Sequence, residues 1–160
     1  MTFEINNLVP ELWCSDFKKS LDFYVGKLGF EVVQQRGSDP HAYLSLQGAQ
    51  IMLAHWRLDG SWEPWHPAPM ERPYGRGINF QFMIKGVQKL HARVVSAGVE
   101  PFLALHEAEI WKTDRMDTRI QFMVLDPDGY VIRFAETIRH RPVEPSDIAA
   151  LDVYYGSTGQ

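Results

Sequence analysis

The chain has 160 residues, of which 45% are apolar and 12% aromatic, enough for one domain with a buried core. Its formal net charge of −4 argues against nucleic acid as a partner, and its single cysteine, Cys14, excludes an internal disulfide or a cysteine-based zinc cluster. No apolar run reaches the roughly 18 residues of a membrane helix. A secretory signal has a basic stretch before an apolar one, and the N-terminal segment does not. These features predict a soluble, cytoplasmic protein without a membrane or nucleic-acid partner.

The first predicted helix follows a short strand over residues 8–14. Ser15 or Asp16 can cap its N-terminus, and Gly29 suits a left-handed residue at its end. Between them one apolar stripe recurs at helical spacing: Phe17, Leu21, Tyr24 and Leu28. Three further strands are predicted over 30–35, 42–46 and 49–55, with a tight turn at Gln47-Gly48.

Residues 56–76 have a different composition and show no pattern of this kind. Four prolines lie there among several aromatic residues, and prolines at that density prevent regular strand pairing. The segment is therefore predicted to be a long loop with a functional role.

The second half repeats the order of elements. A strand over 77–84 precedes a helical stripe of Val87, Leu90, Val94 and Ala97, which Gly98 closes. Strands are then predicted over 101–105, 120–125 and 131–135, the last two joined by a turn at Asp126-Pro127-Asp128-Gly129.

Two stretches of the halves match when they are set side by side. Leu28-Gly29-Phe30-Glu31 matches Ala97-Gly98-Val99-Glu100, and the segment after Gly48 matches the segment after Gly129, with an insertion placed at 106–119. The predicted fold class is α+β, with two β-α-β-β-β modules at about 8–55 and 77–136. They form one domain over 1–138, and 139–160 are predicted to be a polar C-terminal tail whose patch at 148–155 packs on a partner.

The duplicated module resembles the vicinal oxygen chelate superfamily, which contains glyoxalases, extradiol dioxygenases and bleomycin resistance proteins. The stretches that carry the resemblance are Ser15 to Tyr24 with Leu28-Gly29-Phe30, and Asp126-Pro127-Asp128-Gly129-Tyr130. The resemblance implies a curved mixed sheet around a cavity, in which the enzymes of the superfamily hold a divalent metal.

The four positions that correspond to the metal ligands of those enzymes carry Val9, Met52, Asn79 and Arg133. Valine has no lone pair, a thioether is soft, a lone amide is a poor ligand and a guanidinium repels a cation. The neighbouring residues supply no ligands either, so a shift of one residue in register does not restore the site. We therefore expect no metal, no cofactor and no catalytic residue at these positions.

Other reactive side chains offer one alternative. The six histidines show no HxH or HExxH spacing, and Cys14 lacks a nearby base, which predicts an inert thiol. A relocated ligand set of Glu11, His55 and His66 remains open, and it would make the protein a metal-dependent glyoxalase- or dioxygenase-like enzyme.

Strand periodicity places alternate residues on the concave face, and their neighbours, such as Ile51, Ile78, Phe80 and Phe122, on the face covered by helices. Glu11 is expected to pair with Arg133. The tryptophans of the two bordering loops, Trp56, Trp62, Trp65 and Trp111, are expected to stack on a planar ligand. The predicted ligand-binding residues are Glu11, Trp13, Met52, Trp56, Asn79, Gln81, Trp111, Gln121, Met123 and Arg133.

Within the superfamily the C-terminal strands, Thr118 to Glu136, most resemble those of bleomycin resistance proteins, including arginine at the position of the lost glutamate. The resemblance implies a homodimer that sequesters a cationic, planar antibiotic in grooves between its subunits, without catalysis. Binding of an unrelated planar metabolite is the third reading that the sequence leaves open.

Overall fold

The computed structural model describes residues 4–35, 37, 39–55 and 70–149. Trp56, Trp62, Trp65 and His66 therefore lie outside the described residues, as does most of the predicted patch at 148–155. In chain order the elements are β1 (Glu11–Cys14), α1 (Phe17–Leu21) with a π-helical segment (Asp22–Leu28), β2 (Glu31–Gln35), β3 (His41–Leu46), β4 (Ala49–His55), β5 (Asn79–Met83), α2 (Val87–Ser96), β6 (Leu103–Trp111), β7 (Arg115–Leu125) and β8 (Val131–Pro142). Within this part of the chain, no helix is both long and apolar enough to cross a bilayer.

The strands form two four-stranded mixed sheets, and neither is closed. The N-sheet has the order β1-β4-β3-β2 and the C-sheet the order β5-β8-β7-β6. In each sheet the first strand runs parallel to the last strand of its module, and the other pairs are antiparallel. The prediction of a duplicated β-α-β-β-β fold is confirmed.

The first helix begins and ends where the sequence predicts. Asp16 accepts a hydrogen bond from the Lys19 amide at 3.0 Å, and Gly29 ends the helix with φ of 83°. Its second half is π-helical, which the sequence pattern did not predict. Because an i→i+5 ladder brings residues five apart towards the same side, Phe23 and Leu28 are both buried.

The extra residues that the sequence comparison places at 106–119 lie in longer strands and not in a loop between shorter ones. Most of this segment is strand, because β6 and β7 extend through it and turn between Trp111 and Arg115. Its charged side chains bond across the strands, with Arg139 donating to Glu107 at 2.7 Å and Thr118 to Glu109 at 2.6 Å, so the polar pattern is compatible with a sheet. Strand β8 likewise runs past the predicted boundary at 138 and ends at Pro142.

One hydrophobic cluster joins both modules. It contains Leu12, Ile51, Leu53, Phe82, Phe122, Ile132 and Phe134, together with side chains of both helices. The predicted alternation is thus confirmed along these strands, except at Ile78, which precedes β5 and is 54% exposed. In the predicted helical stripe the exception is Ala97, which follows α2 and is exposed. Because both sheets turn one face towards this shared core, the opposite faces point away from it. We call these the open faces of the N-sheet and the C-sheet.

Candidate ligand-binding faces

The open face of the N-sheet carries three of the predicted ligand residues. Glu11 lies in register with Met52, and Trp13 with Ala54, so these side chains share one face by strand periodicity. Glu11 is exposed, whereas Trp13 and Met52 are half-buried. This face therefore combines an aromatic ring, a thioether and one carboxylate.

The open face of the C-sheet carries five more. Gln81, Arg133 and Met123 lie in register across β5, β8 and β7. Asn79 and Gln121 lie two residues from members of this row on the same strands, and hence on the same face. Asn79 and Gln81 are exposed, Met123 and Arg133 are half-buried, and Gln121 is only 5% exposed.

A chain of hydrogen bonds orients the polar groups of the C-sheet. Arg133 donates from Nε to Oε1 of Gln121 at 2.8 Å, and its Nη2 contacts the same oxygen. Gln121 Nε2 lies 2.9 Å from Nε2 of His106, whose Nδ1 lies 2.8 Å from the carbonyl oxygen of Ala104. Since a carbonyl only accepts, Nδ1 carries the imidazole proton and Nε2 accepts from the glutamine amide. His106 was not among the predicted ligand residues, because the strand that holds it was interpreted as an insertion.

The remaining predicted residues fall elsewhere. Trp111 is not in a loop, because it is the last residue of β6, in register with Met116. Glu11 forms no ion pair with Arg133 in the described part of the chain, so that expected pairing is wrong within one chain. The two residues lie on different sheets, each on its open face.

The donor set does not fit a metal of the kind that the superfamily's enzymes hold. Among residues 4–35, 37, 39–55 and 70–149 no group of three histidine, cysteine or carboxylate side chains comes together. Of the alternative ligands, Glu11 is the register partner of Met52, and its side chain therefore lies on the same face as that of Met52. His55 is three residues after Met52 on β4, so Glu11 and His55 point to opposite faces of the N-sheet. They cannot bind the same ion there, and His66 lies outside the described residues.

The predicted inert thiol is confirmed. Cys14 is 1% exposed and donates to the carbonyl oxygen of Ala54 at 3.3 Å. Burial, with a smaller contribution from nearby carboxylates, raises its pKa to about 12. Because the thiolate is the nucleophilic form, this group cannot serve covalent catalysis at neutral pH.

A buried acidic turn connects the two modules. The side chain of Asp128, 1% exposed, accepts from the amide of Ser15 at 3.0 Å, from its hydroxyl at 2.6 Å and from Arg72 at 2.6 Å. Asp126 accepts from the hydroxyl of Tyr24 at 3.0 Å and from the amide of Tyr130 at 2.9 Å. Burial raises the pKa of Asp126 to about 6, against the opposing effect of these hydrogen bonds. The sequence pattern predicts the turn but not these contacts with the first module, for which its two acidic residues, Asp126 and Asp128, were the available signal.

Two described cavities lie at the junction of the modules, with volumes of about 340 and 420 Å³. Gln47, Ile84 and Lys85 line both of them, and none of the nine predicted ligand residues that the structure describes lines either. In a single chain the open faces are therefore surfaces rather than parts of these cavities.

Comparison with known proteins places this architecture in a family. The model described as Glyoxalase/Bleomycin resistance protein/Dioxygenase superfamily matches residues 5–134. The chain belongs to this superfamily. The resemblance inferred from the helix and turn motifs is thereby confirmed.

Individual relatives agree with this assignment. The Bleomycin resistance proteins of Geobacillus stearothermophilus and of Staphylococcus aureus (strain N315) are each 29% identical to this superfamily member over 139 residues, which cover 82% of this chain and 96% of theirs. The solved structure of TioX from Micromonospora sp. ML1 has a TM-score of 0.61 at 20% identity and covers 83% of this chain and 99% of its own. A protein of unknown function from Agrobacterium tumefaciens str. C58 has a TM-score of 0.62 at 20% identity and covers 86% and 98%. These two structures show the fold.

Proposed function

We propose that this superfamily member binds a planar small molecule between the open face of an N-sheet and the open face of a C-sheet. It sequesters this molecule without changing it chemically. The observation that carries the proposal is the set of groups at the former metal positions and beside them. Trp13, Met52 and Met123 offer stacking and dispersion contacts, and Arg133 and Gln121 offer oriented hydrogen bonds. Such groups recognise a ligand, but they neither hold a divalent ion nor act as an acid–base pair.

Bleomycin is the first ligand to test, since that is the drug that the curated relatives are named for. Its planar, cationic character suits the exposed carboxylate of Glu11 and the ring of Trp13 on the N-sheet. The net charge of −4 favours the approach of a cation.

In this proposal the two walls of the binding site come from two subunits of a homodimer. The open faces of the N-sheet and C-sheet point away from the core that they share, so one chain alone does not enclose a ligand between them. Two copies related by a twofold axis would bring the N-sheet of each chain against the C-sheet of the other, forming two equivalent sites. That arrangement also gives Glu11 and Arg133 a way to face one another across the ligand.

A thermal-shift titration tests the proposed function. A saturating ligand at about 100 times its Kd stabilises a protein by about 2.7 kcal/mol, which raises the Tm of a domain of this size by about 5–10 °C. We expect bleomycin to produce this rise equally in EDTA and in added zinc, nickel or manganese. A rise that appears only with a divalent ion would instead favour metal-dependent chemistry, and a rise with other planar metabolites but not with bleomycin would leave the binding role and change the ligand.

A further inference from the structure

The strongest unexplained feature of the C-sheet is a positive charge without a counter-ion. Arg133 is half-buried near the start of β8, and none of the ion pairs among the described residues includes it. Its hydrogen-bond acceptor is the neutral amide of Gln121. A guanidinium that is held by an amide keeps its full charge, and partial burial makes that charge costly until an anion pairs with it.

The orientation of this guanidinium is determined by its neighbours. Because Nε2 of His106 accepts from the amide nitrogen of Gln121, the amide oxygen must point towards Arg133. The donors in use on Arg133 are Nε and Nη2, while Nη1 has no partner in the described chain and is not among the enclosed unpaired atoms. One end of the planar guanidinium is thus fixed to the sheet, and the other end remains reachable from the open face.

A second guanidinium lies on the same face. Arg119 is two residues from Gln121 on β7, and its register partner Ala108 is two residues from His106 on β6. Arg119 Nε is enclosed and has no hydrogen-bond partner among the described residues. The nearest acidic side chain along this strand, Asp117, attracts Arg119 but is already bonded to Arg115 at 2.9 Å. Within the part of the chain that the structure describes, Arg133 therefore has no ion-pair partner, and Arg119 shares its carboxylate with Arg115.

We propose that Arg133 docks a carboxylate of the planar ligand and that Gln121 is the residue that positions it, with Arg119 adding to the same electrostatic attraction. The ligand class is then a planar zwitterion, whose carboxylate pairs with Arg133 and whose cationic end faces Glu11. This inference rests on the proposed function, because it assigns the chemistry of one wall of the same site.

Calorimetric titration of the full chain with three naphthalene probes tests the assignment: 2-naphthoate, 2-naphthylmethanol and 2-naphthylmethylammonium. We expect 2-naphthoate to bind about tenfold tighter than the alcohol, because one charge-assisted hydrogen bond has about this effect on affinity. The ammonium probe should bind to the C-sheet more weakly than 2-naphthoate does. The variant Gln121→Glu places a carboxylate against Arg133 with nearly unchanged shape, so it should remove the preference for naphthoate. Arg133→Gln should do the same. Arg139→Gln is the matched control, because this exposed arginine on the same strand pairs with Glu107, and it should keep the preference.

A second measurement needs no variant of uncertain folding. The side-chain amide signal of Gln121 in the wild-type protein should shift on addition of 2-naphthoate but not of the alcohol at equal saturation. The assignment is overturned if naphthoate binds no tighter than the alcohol, if Gln121→Glu keeps the preference, or if the amide signal does not respond. Binding of bleomycin or the neutral probe without this preference would refute the assignment and leave the proposed function standing, whereas failure of every probe and of bleomycin would refute both.

Discussion

At the scale of single residues, the two buried carboxylates at the module junction bond to groups outside their own turn and thereby stabilise the contact between the modules. Asp128 accepts three hydrogen bonds from Ser15 and Arg72, which belong to the first module and to the segment between the modules. Asp126 is also buried, and its partner Tyr24 is fully enclosed in the helix of the first module. Each carboxylate therefore supports a separate prediction.

Replacing Asp128 with asparagine should destabilise the protein by about 2–4 kcal/mol. The amide group presents hydrogen-bond donors to groups that are themselves donors, and the burial of the site prevents water from replacing the lost bonds. Most of the loss should come from the bonds to Ser15, because the Arg72 side chain is 54% exposed and screened by solvent. Urea unfolding measures the change. Asp114→Asn is the control, since this exposed carboxylate lies 3.7 Å from Arg115 and its loss should leave the midpoint unchanged; equal effects of the two variants would contradict the structural role of Asp128.

Asp126 predicts an unusual dependence of stability on pH. Its folded-state pKa of about 6 lies above the unfolded value of about 3.9, so the folded state binds the proton more tightly. Its contribution to stability is therefore fully present below about pH 4 and is lost as pH rises through 6, by about 3 kcal/mol in total. The difference in unfolding free energy between wild type and Asp126→Asn, measured from pH 4 to 8, isolates this effect from that of other carboxylates. A difference that does not vary with pH would refute the prediction.

At the scale of elements, the turn of Asp126 to Gly129 packs against the segment that precedes β5. The amide of Tyr74 donates to the carbonyl oxygen of Asp128 at 2.9 Å. A Cβ atom on Gly129 would lie 2.5 Å from Cβ of Pro73 and 2.8 Å from its Cα, and Gly129 also has φ of 94°. The turn therefore needs glycine for its conformation and for the close approach of this segment.

Two glycine substitutions separate these requirements. Gly98→Ala, at φ of 73° with open space around it, should cost about 1 kcal/mol from backbone strain alone. Gly129→Ala should cost about 2 kcal/mol more, because the added methyl group displaces Pro73 as well. Thermal or urea unfolding of the two variants measures the difference. Equal costs would mean that the segment around Pro73 moves aside freely.

The sequence predicted the elements whose signals are local. Asp16 and Gly29 marked the ends of the first helix, and Gln47-Gly48 and the turn at Asp126 marked hairpins, because capping and left-handed residues act within a few positions. The strands across 106–119 were missed, since Glu107, Glu109 and Arg139 look like a solvated loop until their cross-strand partners are known. The link between His106, Gln121 and Arg133 joins three strands and likewise follows only from register.

At the scale of the whole molecule, the two open faces determine how the site is assembled. They lie on separate sheets of one chain, and the proposed site combines the N-sheet of one subunit with the C-sheet of its partner. Trp13 and Arg133 would then belong to different subunits at every site.

Mixing two inactive variants tests this arrangement. Trp13→Ala and Arg133→Gln should each lose ligand binding as pure dimers, because each defect is present at both sites. After unfolding and refolding together, half of the dimers should be mixed, and each mixed dimer should contain one intact site, so about one quarter of all sites should recover. Calorimetric stoichiometry reports the fraction. No recovery, with mixed dimers verified by mass spectrometry, would mean that each site is formed within one chain.

The most direct measurement of the central claim is calorimetric titration of EDTA-treated protein with metal-free bleomycin. We predict saturable binding with a stoichiometry of one ligand per chain and the same affinity after a divalent ion is added to the protein. Unchanged heats over the full range of drug concentration would contradict bleomycin as the ligand, and binding that requires the added ion would contradict the account of metal-free recognition through Trp13, Met52, Gln121 and Arg133.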